Sequence, residues 1–171
     1  TVTDGNGCNA TDQVTITQPS AALAASAMAV SSTCGNANGS VNLTVTGGTA
    51  SYSFAWSNGA STEDLTNVAA GLYSVTVTDG NGCTATASAT VNDIGGPAAS
   101  IDAQTNVACF GDASGSATVT VTGGTSPYTY LWDDPAAQTT ATASGLSAGT
   151  YAVTVTDGNG CNATDQVTIT Q

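Results

Sequence analysis

The chain contains no lysine, arginine or histidine, and its 12 acidic residues leave a formal charge of −12 on 171 residues. Phosphate neutralisation needs Lys or Arg, so nucleic acid is not an expected partner. An anionic membrane surface would repel such a chain. Without His there is no imidazole base or ligand, and no Ser-His-Asp or Cys-His nucleophile pair. Without Lys there is no Schiff base, and nothing basic clamps a phosphoryl group. Charged residues make up 7% of the chain, against about 25% in ordinary globular proteins. Strong helix formers other than Ala are scarce, and aromatics are only 5%. These absences point away from an enzyme and from any cofactor.

What is present is Thr, Val, Ala, Ser, Asn and 20 Gly. β-Branched Thr and Val fit a pleated sheet with a neutral polar surface. The chain also repeats itself. Residues 154–171 reproduce residues 1–18 letter for letter (TVTDGNGCNATDQVTITQ), 153 positions on, and a weaker copy begins at Thr76. The expected organisation is therefore 1–18, the final hairpin of a preceding repeat; 19–93, repeat one; and 94–171, repeat two. Such periodicity is expected of a length of a longer periodic polymer.

Within each repeat, alternation of period two predicts strands. Val41, Leu43 and Val45 share one face, as do Ala117, Val119 and Val121. Gly47-Gly48 and Gly123-Gly124 supply a turn. Tyr52, Phe54 and Trp56 follow, matched by Tyr128, Tyr130 and Trp132. Tyr73, Val75 and Val77, matched by Tyr151, Val153 and Val155, form the next inward set. Asp79-Gly80-Asn81-Gly82 predicts a tight hairpin built on residues that tolerate positive φ. Ala22–Ser32 reads as an opening strand with a small-residue face. Six or seven strands in under 80 residues predict an all-β fold of tandem small Ig-like β-sandwich domains arranged end to end. A Trp on the third strand and a tyrosine corner at Tyr73 and Tyr151 fit that architecture, with core roles expected for both Trp residues. Asp165, and its copy Asp12, fall on the inward face of the last strand, either as an edge-guarding charge or turned outward by a bulge.

These segments resemble SprB repeats, which occur in tandem in very large cell-surface adhesins of gliding bacteria. The matching runs are Asn38 to Thr49, Tyr52 to Gly59, Ala70 to Asp79 and Asn81 to Thr86. Repeat two matches at Gly115 to Gly124, Pro127 to Trp132 and Ser147 to Cys161, departing at Asp133-Asp134-Pro135. The resemblance implies an extracellular, cell-surface location and a structural unit of a filament or stalk serving adhesion and gliding. Its partners would be neighbouring identical repeats of the same polymer, together with other filament chains or surface polysaccharide. The alternative is that the repeats themselves bind surface polysaccharide or another cell through the divergent segments 57–70 and 133–148. No membrane insertion of this segment is expected.

Five cysteines in a Thr/Gly-rich β protein suggest an oxidising compartment. Three states stay open for Cys8, Cys34, Cys83, Cys109 and Cys161, one of them free thiols. Another closes each repeat on itself, Cys34 with Cys83 and Cys109 with Cys161. The third staples neighbours, Cys34 with Cys161, with Cys8 and Cys83 then pairing upstream of Cys34 and Cys109 with a downstream repeat. An eight-residue strand spans about 27 Å, and bridged Cα atoms lie within about 7 Å, which weighs against closure within one sandwich. Asp79, Asn81, Asp157 and Asn159 are weak calcium candidates, lacking the acidic ligands of a full loop. The pairs Glu63-Asp64 and Asp133-Asp134 are acid–base candidates in type only, since carboxylates adjacent on a loop are usually solvated.

Overall fold

The computed structural model describes residues Thr1–Gln171 and contains strands but no helix. A short hairpin comes first, β1 (Val2–Thr3) against β2 (Asn9–Ala10). Next come β3 (Ala24–Val30), β4 (Ser32–Thr33), β5 (Gly39–Thr46), β6 (Ser53–Trp56), β7 (Leu65–Val68), β8 (Gly71–Thr78) and β9 (Thr84–Val91). β10 (Asp93–Ile94) leads to β11 (Pro97–Thr105), β12 (Gly115–Gly123), β13 (Thr129–Trp132), β14 (Thr142–Leu146), β15 (Gly149–Thr156) and β16 (Asn162–Ile169). Sheets β3-β5-β7 and β6-β8-β9 face each other as one sandwich, and β11-β12-β14 and β13-β15-β16 as the next. All their pairings are antiparallel.

Each sandwich has its own core. Val41, Leu43, Trp56, Val75, Val77 and Val91 are buried in the first, and Ala117, Val119, Trp132, Val153, Val155 and Ile169 in the second. These are the positions that alternation places inward, because successive side chains of a strand point to opposite faces. Ala25, Ala27 and Ala29 of β3 pack on the first core as its small-residue face. The divergent segments are not free loops. They contain β7 and β14, which bury Leu65, Val68, Ala143 and Leu146.

Hydrogen bonds from the aromatics lock the loops. Trp56 Nε1 donates to the Thr62 carbonyl at 2.8 Å and Trp132 Nε1 to that of Thr140 at 3.0 Å. Tyr73 donates to the Ala69 carbonyl and Tyr151 to that of Ser147, so both tyrosine corners are formed. Tyr52 and Tyr128 make a second tie, to the carbonyls of Gly47 and Gly123, where the chain turns through consecutive left-handed glycines. Asp165 does point inward. Its carboxylate accepts the Ile101 N–H at 2.7 Å, beside the β-bulge that interrupts β11 after Ile101. The bulge is thus in the partner strand and not in β16, and Asp165 satisfies an N–H next to it, linking β16 to β11.

Candidate functional site: the junction between the sandwiches

The junction is assembled from four short pieces. After β9, the chain runs through Asp93 and Ile94, which pair in parallel with Ser32 and Thr33. Cys34 N–H donates to the Ile94 carbonyl at 3.1 Å. The Asp93 carboxylate accepts from Ser32 Oγ and from Gly35 N–H, fixing the Cys34 loop against the linker. Ser32 is fully buried there. Cys34 and Gly35 both have positive φ, 59° and 69°, so the loop turns sharply just at the cysteine. On the far side, Cys161 immediately precedes the last strand of the second sandwich and is buried. Gly96 lies against it, where an added Cβ would sit 3.0 Å from Cys161 Cβ.

These pieces bring Cys34 and Cys161 together as a disulfide, with Cα atoms 5.3 Å apart across 127 residues of sequence. The bond therefore joins the bottom of one sandwich to the top of the next. The pairings Cys34–Cys83 and Cys109–Cys161 are corrected: each would need a cysteine already spent, and each spans a sandwich from end to end. Cys8, Cys83 and Cys109 are exposed thiols.

The Asp-Gly-Asn-Gly segments do form the expected tight hairpins, joining β8 to β9 and β15 to β16, but not through positive φ at asparagine. Only the last glycine of each, Gly7, Gly82 and Gly160, takes positive φ; the asparagines do not. The turn is organised by its aspartate. Asp79 Oδ1 accepts the N–H groups of Asn81 and Cys83, and Oδ2 accepts that of Thr49, across from the Gly-Gly turn. Asp157 repeats this with Asn159, Cys161 and Thr125. Asn81 and Asn159 donate from Nδ2 to the hydroxyls of Thr49 and Thr125. The four weak calcium candidates are thus engaged as a structural clasp, with both carboxylate oxygens facing N–H donors. Gly-Gly-Thr and Asp-Gly-Asn-Gly form one unit in space. The signal in the sequence was their joint recurrence, with Thr 30 and 32 residues ahead of Asp.

The same donors set the acidities. The Thr49 N–H, foremost, with those of Cys83 and Asn81, holds the Asp79 carboxyl below the usual range against the opposing effect of burial. At Asp157 burial is the largest single influence and pushes upward. The N–H groups of Thr125, Cys161, Asn159 and Gly160 together outweigh it, and the carboxyl is again held low. Carboxyls that titrate lower folded than unfolded stabilise the fold fully above the unfolded pKa, about 4. That contribution drains away as pH falls through the folded values. Thermal melts should therefore be insensitive to these groups between pH 7 and 5 and lose their contribution below about pH 4. Discharging the mutual repulsion of the acidic surface acts in the opposite direction. Comparing wild type with Asp79→Asn isolates the clasp: the variant should melt lower at pH 7, and the difference should shrink below about pH 4.

The acid–base candidates come apart. Asp64 accepts the Leu43 N–H and Asp133 the Ala152 N–H, tying their loops to neighbouring strands. Asp134 is buried and accepts from Ala136 N–H, Gln138 N–H and Gln138 Nε2. No three His, Cys, Asp or Glu side chains gather in a metal-sized cluster.

The SprB repeat model matches the chain at two places, residues 26–61 and 101–137. Among solved structures, the three N-terminal domains of the bacteriophage RB49 highly immunogenic outer capsid protein (Hoc) align with a TM-score of 0.54 at 18% identity. That alignment covers 87% of this chain and 59% of that one, and it shows the fold, Ig-like domains in tandem. The C-terminal 282-residue fragment of intimin, in complex with the intimin-binding domain of its translocated receptor, aligns with a TM-score of 0.42 at 15% identity. It is covered over 63% of its length by 85% of this chain. No curated protein sequence matches.

Proposed function

We propose, from the match of the SprB repeat model at two places in the chain, that the chain is a length of stalk in an extracellular, cell-surface adhesin. In this reading the repeats hold a binding tip away from the cell and transmit load. The carrying observation is the disulfide from one sandwich to the next. A bond inside a sandwich would stabilise that sandwich; a bond between two gives the load a covalent route along the array. The tail supports serial repetition: Val14 and Ile16 are 83% and 86% exposed, while their copies Val167 and Ile169 are core residues. Residues 1–18 thus carry the core face of a last strand. The surface suits display, since it offers no basic residue for trypsin-type cleavage and its charge repels neighbouring copies. The domain division at 19–93 and 94–171 and the service in gliding belong to the same proposal.

Electron micrographs of an array of several blocks should show thin, unbranched fibres with an axial repeat of about 70–80 Å per pair of sandwiches. Compact particles, or fibres much thicker than one sandwich, would count against a stalk of single chains.

A further inference from the structure

We propose that Cys83 and the linker before it form a socket for the Cys109–Phe110 loop of the unit-two repeat in a preceding copy of this sequence, closed by a Cys109–Cys83 disulfide. The inference rests on the tandem reading above, and it adds a second, chemically distinct kind of junction.

Three observations carry it. The first is structural equivalence. Cys83 and Cys161 hold the same place: each donates its N–H to the clasp aspartate and accepts that aspartate's N–H at its carbonyl. Cys34 and Cys109 are equivalent too. Ser32 N–H donates to the Asn92 carbonyl, and Val107 N–H to that of Thr170, each two residues before the cysteine. Thr33 and Ala108 donate their N–H groups to the side chains of Asn38 and Ser114. One such pair, Cys34–Cys161, is already bonded. The second observation is spacing. Cys109 follows Cys83 by 26 residues, so one 153-residue period later the distance from Cys109 to the next Cys83 is 127. That is the separation of Cys34 from Cys161.

The third is surface complementarity. A recess of about 520 Å³ lies beside Cys83, its apolar wall formed by Pro19, Ala21, Ala22 and Leu23, with polar residues that include Gln18 and Thr84 completing the lining. The loop that would meet it carries Phe110, 91% exposed next to the exposed Cys109. The bonded junction is built otherwise. There Gly35 follows the cysteine, and the linker residue against Cys161 is Gly96, with no room for a side chain. The apolar plug thus belongs with the linker that offers Pro19, Ala21, Ala22 and Leu23, and the glycine loop with the glycine linker. This keying gives the two-unit period a purpose, since each kind of repeat follows only the other.

Bond formation removes two electrons and two protons from the thiols. A small-molecule or enzymatic disulfide accepts them and leaves as two thiols, by attack of one cysteine thiolate on the mixed disulfide of the other.

The test is a chain of two blocks joined in period, with Gln171 of the first followed by Pro19 of the second, refolded in oxidised and reduced glutathione. An acid-specific endoproteinase must replace trypsin for non-reducing peptide mapping. The expected map contains Cys34–Cys161 in both blocks, which reports correct folding, and Cys109 of the first block bonded to Cys83 of the second. Phe110→Ser should lower the effective concentration of that thiol pair against glutathione about tenfold, as loss of an apolar contact, and leave Cys34–Cys161 unchanged. Cys83 and Cys109 recovered as thiols or glutathione adducts beside intact Cys34–Cys161 bonds would overturn the proposal. So would a bond from Cys83 to any other cysteine. Neither result touches the stalk reading, which the micrographs decide separately.

Discussion

Pulled at residues 19 and 171 in a single-molecule force experiment, the oxidised chain should lengthen by only a small fraction of what its residue count allows. The Cys34–Cys161 bond closes nearly all of both sandwiches into one loop. Force applied at residues 19 and 171 can draw out only 19–33 and 162–171, about 25 residues, or roughly 85 Å at full extension. With reductant the whole stretch becomes available, about 150 residues and on the order of 500 Å. The ratio of about six between the two conditions is the expected result. Equal extension in both would mean that the bond does not span the junction. The bond also acts without load. Closing a loop of this size removes about 4–5 kcal/mol of unfolded-chain entropy in the chain-entropy model, so denaturant midpoints should fall on reduction.

The same arithmetic describes a stapled array. A two-sandwich block is about 70–80 Å long when folded. Its covalent route from one Cys34 to the next runs through the bond to Cys161 and then about 26 residues of chain, about 90 Å when drawn straight. Folded length and maximal length nearly coincide. An array built this way would hold its reach even with individual sandwiches opened, which a row of sandwiches joined only by linkers would not do.

How far the sequence foretold this depends on which contacts decide each feature. Strand identity and the inward faces were legible, because Val41, Val75, Val77 and their counterparts alternate cleanly and a strand's period is fixed by its pleat. The tyrosine corners were legible because the bond is local, from Tyr73 to Ala69 and Tyr151 to Ser147. The clasp was not, since Asp79 meets Thr49 only after the sheet has formed. The cysteine pairing stayed open because it depends on how one sandwich is seated on the next, which no alternation pattern records. One comparison isolates the limit of local reading. Asn-Ala-Thr-Asp-Gln-Val-Thr-Ile forms an eight-residue strand at 162–169 and only a two-residue strand at 9–10. Its letters are the same in both places. At 162–169 it pairs along all of β15 and covers a core; at 9–16 only Val2 and Thr3 face it.

Trp132→Ala should strongly destabilise the second sandwich and leave the first unaffected. The Trp132 side chain is 1% exposed at the centre of its core. Truncating a buried Trp typically costs about 3–5 kcal/mol. Its loss also leaves the Thr140 carbonyl without its donor. A sandwich of this size holds about 4–11 kcal/mol in total, so the change removes a large part of it. The two buried cores share no residue, each enclosed by its own pair of sheets. Damage in one therefore has no packed route to the other except the linker and the disulfide. The variant keeps Trp56 as its sole tryptophan, so fluorescence reports the first sandwich alone. Its emission should stay that of a buried indole, with an unchanged denaturation midpoint, while circular dichroism loses about half the strand signal in a separate transition at lower denaturant. A Trp56 transition that shifted along with the circular dichroism would show the two sandwiches to be one cooperative block. Independent melting is the behaviour a load-bearing row requires, because one opened member then leaves its neighbours folded and still joined through Cys34 and Cys161.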